Sequence, residues 1–267
     1  MRKIEALLSD ADGTLVDTVR LIRHGQYETS LRYLTNHGIP PSDLPSYENY
    51  ERLLNQVVGG SARDTLERTV TLLYQESPHH LNTINFDELH EMLNPIQDEI
   101  AEQFVSAYEG LSRLLSTLGR NGLKLAIFTS GTPHHVVRNF GIALPELGVR
   151  ELFKEKSLDD QAKLLEFEKT VQKTFDIPSF TVITANDTAT HKPNPEGLLL
   201  AMDRLRIANP LDAAVIGDHP VDMQAAINAN VQQRIGVTHG FSTAEELSRG
   251  GASETIDELD ELTDFLA

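Results

Sequence analysis

Short apolar runs punctuate the chain at Ile4–Leu8, Leu123–Phe128, Phe180–Ala185, Ala213–Ile216 and Arg234–Val237. Each has the length and character of a buried strand. Between several of them the apolar spacing changes to that of a helix. Leu111, Leu114, Leu115 and Leu118 fall at i, i+3, i+4 and i+7, and Leu198, Leu199, Met202 and Leu205 follow nearly the same rule. Strand alternating with helix predicts parallel βαβ units and a doubly wound α/β sheet.

The stretch from about Thr18 to about Val105 reads differently. It carries amphipathic patterns at Tyr27, Leu31 and Leu34, at Leu53, Leu54, Val57 and Val58, and at Leu89, Leu93, Ile96, Ile100 and Phe104, with no convincing strand. Pro40-Pro41 and Pro45 break it early, and Ser77-Pro78-His79-His80 breaks it later. We read it as a helical domain inserted after the first strand. Residues 1–17 and 106–267 then form the α/β core, and 18–105 a helical cap whose closure would exclude water and orient a substrate. Helical spacing returns at Leu164, Phe167, Val171 and Phe175. That segment is expected to be an extra surface helix packed on the core, with a homodimer contact as the alternative.

The chemistry gathers where apolar runs end. Asp10 and Asp12 follow the first run, with a turn-forming Gly13 behind them. Carboxylates at the carboxyl end of a strand sit where open α/β sheets place ligand crevices, and two crowded acids repel unless a cation lies between them. Taken alone, such a pair is an ordinary acidic loop. The second run ends in Thr129, Ser130 and Gly131. The fourth ends in Gly217-Asp218, with Asp222 four residues on, and Lys192-Pro193 lies between these two.

This ordered set, Asp10-Ala-Asp12-Gly-Thr-Leu-Val-Asp17, Thr129, Lys192-Pro193 and Gly217-Asp218-His-Pro-Val-Asp222, resembles the haloacid dehalogenase superfamily of phosphotransferases, and within it the phosphoglycolate phosphatase-like group. The resemblance implies that Asp10 is a nucleophile forming an aspartyl-phosphate, and that Asp12 is the acid for the leaving oxygen and then the base for water. It implies that Thr129, with the N–H groups of Ser130 and Gly131, holds the phosphate, and that Lys192 pairs with nucleophile and phosphate as a point charge. Four acids converging on a phosphate need a hard, oxygen-loving ion, which we expect to be Mg²⁺. The family pattern gives it the Asp10 side chain, the Asp12 carbonyl and Asp218, with Asp222 near or behind the ion; as an acid at a helix start, Asp222 would also suit the local dipole.

In the cap, Gly59-Gly60-Ser61-Ala62-Arg63 lacks the Gly-Lys-Ser of a nucleotide phosphate loop. It resembles a glycine-containing cap segment of the same group, which makes Arg63 a candidate substrate contact. The adjacent pairs His79-His80 and His134-His135 are poor chelates, because neighbours on an element point apart. His219, next to Asp218, has approach to the site as one reading and a solvated loop histidine as the favoured one. Two positions depart from the family pattern: Ser9 and Ala11 stand where bulkier apolar residues flank the nucleophile, which predicts looser local packing with every reacting group kept.

Composition narrows the function further. A formal net charge of −17, from 23 basic and 40 acidic side chains, argues against nucleic-acid and anionic-membrane partners. With no cysteine, thiolate metal sites and cysteine nucleophiles are excluded. The N-terminus becomes charged too soon for a signal peptide, and no apolar stretch approaches membrane-spanning length, so the cytoplasm is the expected location. The expected activity is hydrolysis of a small phosphorylated metabolite. A phosphosugar mutase of the β-phosphoglucomutase kind, an inorganic pyrophosphatase and a silent phosphate-binding protein are the alternatives. Against the mutase, Ile22 stands where such enzymes carry a cap histidine, with His24 two residues off. Asp12 and Asp218 count against dehalogenation.

Overall fold

A computed structural model of the protein describes residues 4–58 and 61–262. Eight strands occur among them: β1 Ala6–Ser9, β2 Val16–Asp17, β3 Ser106–Ala107, β4 Lys124–Phe128, β5 Phe180–Ile183, β6 Ala213–Gly217, β7 Gln233–Val237 and β8 Glu254–Ile256. Six form one sheet in the order β5-β4-β1-β6-β7-β8, parallel throughout. All five apolar runs lie in it. The edge strand β8 and the two-residue antiparallel pair β2-β3 are additions that the hydrophobic pattern does not announce.

Central strands of such a sheet are covered on both faces, which is why they read as continuous apolar runs rather than alternating ones. Ala6, Leu8, Ala126, Phe128, Ala213 and Val215 pack under the helices Glu196–Leu205 and Pro220–Asn228 through Leu198, Ala201, Met202, Ala225 and Ala226. The alternate residues Leu7, Leu125, Ile127, Ala214 and Ile216, all buried, point to the other face. The helix Asp160–Phe175 buries Leu164, Phe167, Val171 and Phe175 against β5 and the helix Pro133–Ala143, and Leu165 on its far side is 48% exposed.

The chain divides into two compact units. One comprises the described residues up to Thr18 together with those from Val105 onward; the other is Val19–Phe104. The second unit is helical among its described residues, with helices Val19–Asn36, Tyr47–Leu54, Ala62–Leu73, Pro78–Leu81 and Phe86–Phe104. Its core gathers Tyr33, Leu34, Tyr50, Leu54, Leu66, Val70, Leu89 and Leu93. Tyr50 is fully buried, and its hydroxyl shares a hydrogen bond with Ser30 at 2.9 Å.

Candidate active site

Sheet order places the site. Chain progress reverses at β1, with β4 on one side and β6 on the other, and the crevice of a doubly wound sheet opens at the carboxyl ends beside that switch. Asp10 is the first residue past β1, Thr129 the first past β4 and Asp218 the first past β6. Backbone bonds continue the ladder into these positions: Asp10 N donates to Ile216 O at 2.9 Å, and Thr129 N to Ile183 O at 2.9 Å.

The loop after β1 is tightly wound, with the N–H groups of Leu15 and Val16 returning to the carbonyl of Ala11 at 2.9 and 3.1 Å. Gly13 makes the turn at φ +81°, and a Cβ there would stand 2.4 Å from Asp218 Oδ2. Both conformation and space therefore demand glycine. Ser9 and Ala11 are fully buried, and the Ser9 hydroxyl is spent on the Asp10 carbonyl at 2.6 Å.

Asp10, Asp218 and Asp222 each bring a carboxylate oxygen within 4.8 Å of the others, and all three are buried. The Thr14 hydroxyl lies 3.2 Å from Asp10 Oδ2 and 3.1 Å from Asp218 Oδ1. The other Asp218 oxygen accepts the Phe241 N–H at 2.7 Å. Lys192 Nζ pairs with Asp10 Oδ1 and, at 2.7 Å, with Asp222 Oδ1, and it lies 4.3 Å from the centre of the Phe128 ring. Asp222 Oδ2 accepts the His219 N–H at 3.1 Å. Asp222 thus closes the first turn of the helix Pro220–Asn228 and anchors the lysine at once.

These contacts set the charge states. Burial pushes the Asp10 carboxyl upward; Lys192 opposes this and Asp222 adds to it. Asp218 is driven well above the usual carboxylate range, by burial first and then by Asp10 and Asp222. Asp12 rises for the same first reason, with Asp10 next. For Lys192, burial works against the charge, but the carboxylates of Asp10 and Asp222 outweigh it and hold the ammonium above its ordinary range.

Among the described residues, one ammonium faces three buried carboxylates, which leaves an excess of negative charge at the cluster. An all-oxygen donor set of this kind suits a hard divalent cation. Asp10 Oδ2 and Asp218 Oδ1, which share a single hydroxyl proton, are the best placed donors. Both Asp222 oxygens already accept hydrogen bonds, so this residue fits the role of holding Lys192 better than that of a direct ligand.

The remaining candidates fall as follows. The Asp12 side chain is not one of the three clustered carboxylates and accepts from Asn139 Nδ2 at 2.9 Å. Thr129 is buried, and its oxygen accepts the Gly131 N–H at 2.9 Å, which leaves its own proton to donate. Thr132 caps the helix Pro133–Ala143 immediately behind, so the Thr-Ser-Gly-Thr-Pro run is both a helix start and one wall of the crevice. His219 is not a solvated loop residue. It is half-buried at a helix start, its Nδ1 accepts the Val221 N–H at 3.3 Å, and burial and then Lys192 hold it below the usual histidine range. Arg63 lies in the first turn of the helix Ala62–Leu73, exposed and paired with Asp87 at 2.5 Å. Gly59 and Gly60 lie outside the described residues.

Sequence reasoning missed the partners that hold the motif residues. Thr14 sits inside the first motif and could have been flagged by its hydroxyl alone. Phe241 contributes only a backbone N–H, and Asn139 lies 127 residues from Asp12, so neither carries a local signal.

The haloacid dehalogenase-like hydrolase model matches residues 4–230. A phosphoglycolate phosphatase of Psychrobacter arcticus is 24% identical over 262 residues, covering 98% of this chain and 95% of the relative. The pyrophosphatase PpaX of Bacillus velezensis is 26% identical over 265 residues, covering 99% and 96%. A solved structure titled as a predicted phosphoglycolate phosphatase from Haemophilus somnus has a TM-score of 0.70 at 17% identity, with 100% of both chains covered, a likeness of fold. With the matched segment running from the first strand to beyond the helix that follows Asp218, the chain belongs to the haloacid dehalogenase-like hydrolase family.

Proposed function

We propose that this protein is a divalent-metal-dependent phosphatase that hydrolyses a small phosphate monoester through a phosphoaspartyl intermediate on Asp10. The observation carrying this reading is the buried contact of Asp10 with Lys192, beside Asp218. In-line attack needs a fixed nucleophile, and Lys192 and Thr14 restrain both Asp10 oxygens. The Thr129 hydroxyl and the Ser130 N–H are the donors for the transferring oxygens, while the Gly131 N–H, spent on Thr129 Oγ1, orients that hydroxyl. Asp12 protonates the departing alcohol and then, as a carboxylate, takes a proton from the water that hydrolyses the intermediate. The Asp10 and Asp218 carboxylates with the Asp12 carbonyl would hold Mg²⁺, which would neutralise charge on the transferring group.

The relatives named phosphoglycolate phosphatase and pyrophosphatase favour a small, doubly charged substrate, with pyrophosphate as the second reading. Arg63, on the cap, is our candidate for substrate selection. No described helix is long and apolar enough to cross a membrane, and we place the reaction in the cytoplasm.

The test is release of phosphate from p-nitrophenyl phosphate with and without Mg²⁺. Asp10→Asn should abolish turnover, and chelation should do so reversibly. Full turnover in the chelated protein would remove the metal from the mechanism. Sugar-phosphate interconversion without net phosphate release would turn the assignment to a mutase.

A further inference from the structure

The helix Pro133–Ala143 buries Arg138 and Asn139, polar side chains that the mechanism above does not use. Arg138 is 1% exposed and Asn139 4%. Taking a guanidinium out of water is costly unless its donors are well matched, so their position calls for a physical reason. Arg138 Nε donates to Asn139 Oδ1 at 2.9 Å, and Asn139 Nδ2 donates to Asp12 Oδ1 at 2.9 Å.

The direction of this chain is fixed by chemistry. A guanidinium can only donate, so it must face the oxygen of the carboxamide, and the amide nitrogen must then face Asp12. The relay has one polarity, from cation through amide to carboxyl. It also distinguishes the two Asp12 oxygens. Oδ1 is taken as an acceptor, while Oδ2 lies on the side of the Thr129–Gly131 loop, where a Cβ on Gly131 would stand 3.5 Å from it.

We propose that Asn139, locked by Arg138, is a positioning residue that keeps Oδ1 of Asp12 as an acceptor and turns Oδ2 toward the ester oxygen of the substrate. The inference rests on the proposed function, in which Asp12 is the acid. As the bond from Asp10 to phosphorus forms and the bond from phosphorus to the ester oxygen breaks, the proton on Oδ2 passes to that oxygen. The alcohol leaves neutral and Asp12 is left as a carboxylate. An N–H aimed at Oδ1 keeps the proton off that oxygen, so the carboxyl is delivered in one usable orientation. Without the amide, Asp12 loses the donor that fixes Oδ1 and keeps only Thr18 as a neighbouring hydroxyl, and misplacement of a catalytic group by about an ångström costs up to ~100-fold.

The experiment measures kcat and KM for a series of aryl phosphates, from p-nitrophenyl, whose leaving group needs no proton, to p-methoxyphenyl, whose leaving group does. Asn139→Ala and Asn139→Leu are compared with wild type and with Asp12→Asn, and thermal melting confirms that each is folded. The expected result is a loss of kcat/KM, which reports only the steps up to departure of the alcohol, of roughly 10–100-fold at the p-methoxyphenyl end in both Asn139 variants, with a far smaller loss for p-nitrophenyl phosphate. A uniform loss across the series, or none, in the Asn139 variants while Asp12→Asn is steeply graded would overturn the inference and leave the proposed function standing. A flat series for Asp12→Asn itself would remove Asp12 from the acid role and take the inference with it.

Discussion

Replacing Asp218 by Asn should make the metal-free protein more stable while destroying its activity. Asp218 is 2% exposed, and its oxygens are taken by the Thr14 hydroxyl and the Phe241 N–H. Its carboxylate lies within 4.8 Å of those of Asp10 and Asp222. At an effective dielectric of about 20, each repulsion at that distance amounts to about 3.5 kcal/mol, and Lys192 offsets only part of the sum. Asparagine keeps the shape. Its oxygen can still accept from Phe241, and its nitrogen can face Thr14 Oγ1, which then accepts. With no new cavity, a net gain of about 1–3 kcal/mol is expected in chelator, at about 2–4 °C of melting temperature per kcal/mol for a chain of this size. The assay is thermal melting of wild type and Asp218→Asn, each in excess EDTA and in millimolar Mg²⁺. Wild type should gain stability from Mg²⁺ by mass action and the variant should gain little. A variant that melts below wild type in EDTA would refute the claim that the carboxylate is held against its own repulsion.

Lys192→Met keeps the stem but removes the ammonium, and should lower kcat by about 10²–10³-fold with p-nitrophenyl phosphate; retention of a tenth of wild-type kcat would contradict its role. Gly13→Ala forces a side chain into left-handed backbone and against Asp218. It should cost at least about 1–2 kcal/mol in urea unfolding and weaken Mg²⁺ affinity in a calorimetric titration. His90, half-buried, is held below the usual histidine range by burial and then by the charge of Arg63. The unfolded chain therefore takes up the proton first on acidification, so the stability His90 permits is present above about pH 6.5 and is lost as pH falls below it. His90→Phe should flatten the fall in melting temperature between pH 7.5 and 5, and an unchanged slope would show that another group is responsible.

What could be read from the chain alone follows the range of the forces involved. Parallel strands buried on both faces need unbroken apolar runs, so Leu123–Phe128 and Ala213–Ile216 announce themselves, and the polar residue that ends each run marks the crevice. The helix Ala62–Leu73 escapes notice because it turns Thr65 and Thr69 inward, and Thr69 satisfies its hydroxyl on the Thr65 carbonyl at 2.7 Å. The strand β8 is too short and too polar to stand out, with Glu254 exposed. The identities of Asp10, Asp12, Lys192 and Asp218 were legible as motifs. Their electrostatics were not, because a carboxyl is perturbed by groups far away in sequence. Only the tertiary structure decides that Thr14 sits between Asp10 and Asp218, that Asp222 spends both oxygens on Lys192 and its own helix, and that a buried Arg138–Asn139 pair reaches Asp12. A local pattern fixes which face of an element is buried; only the assembled sheet fixes which charges share the space at its end.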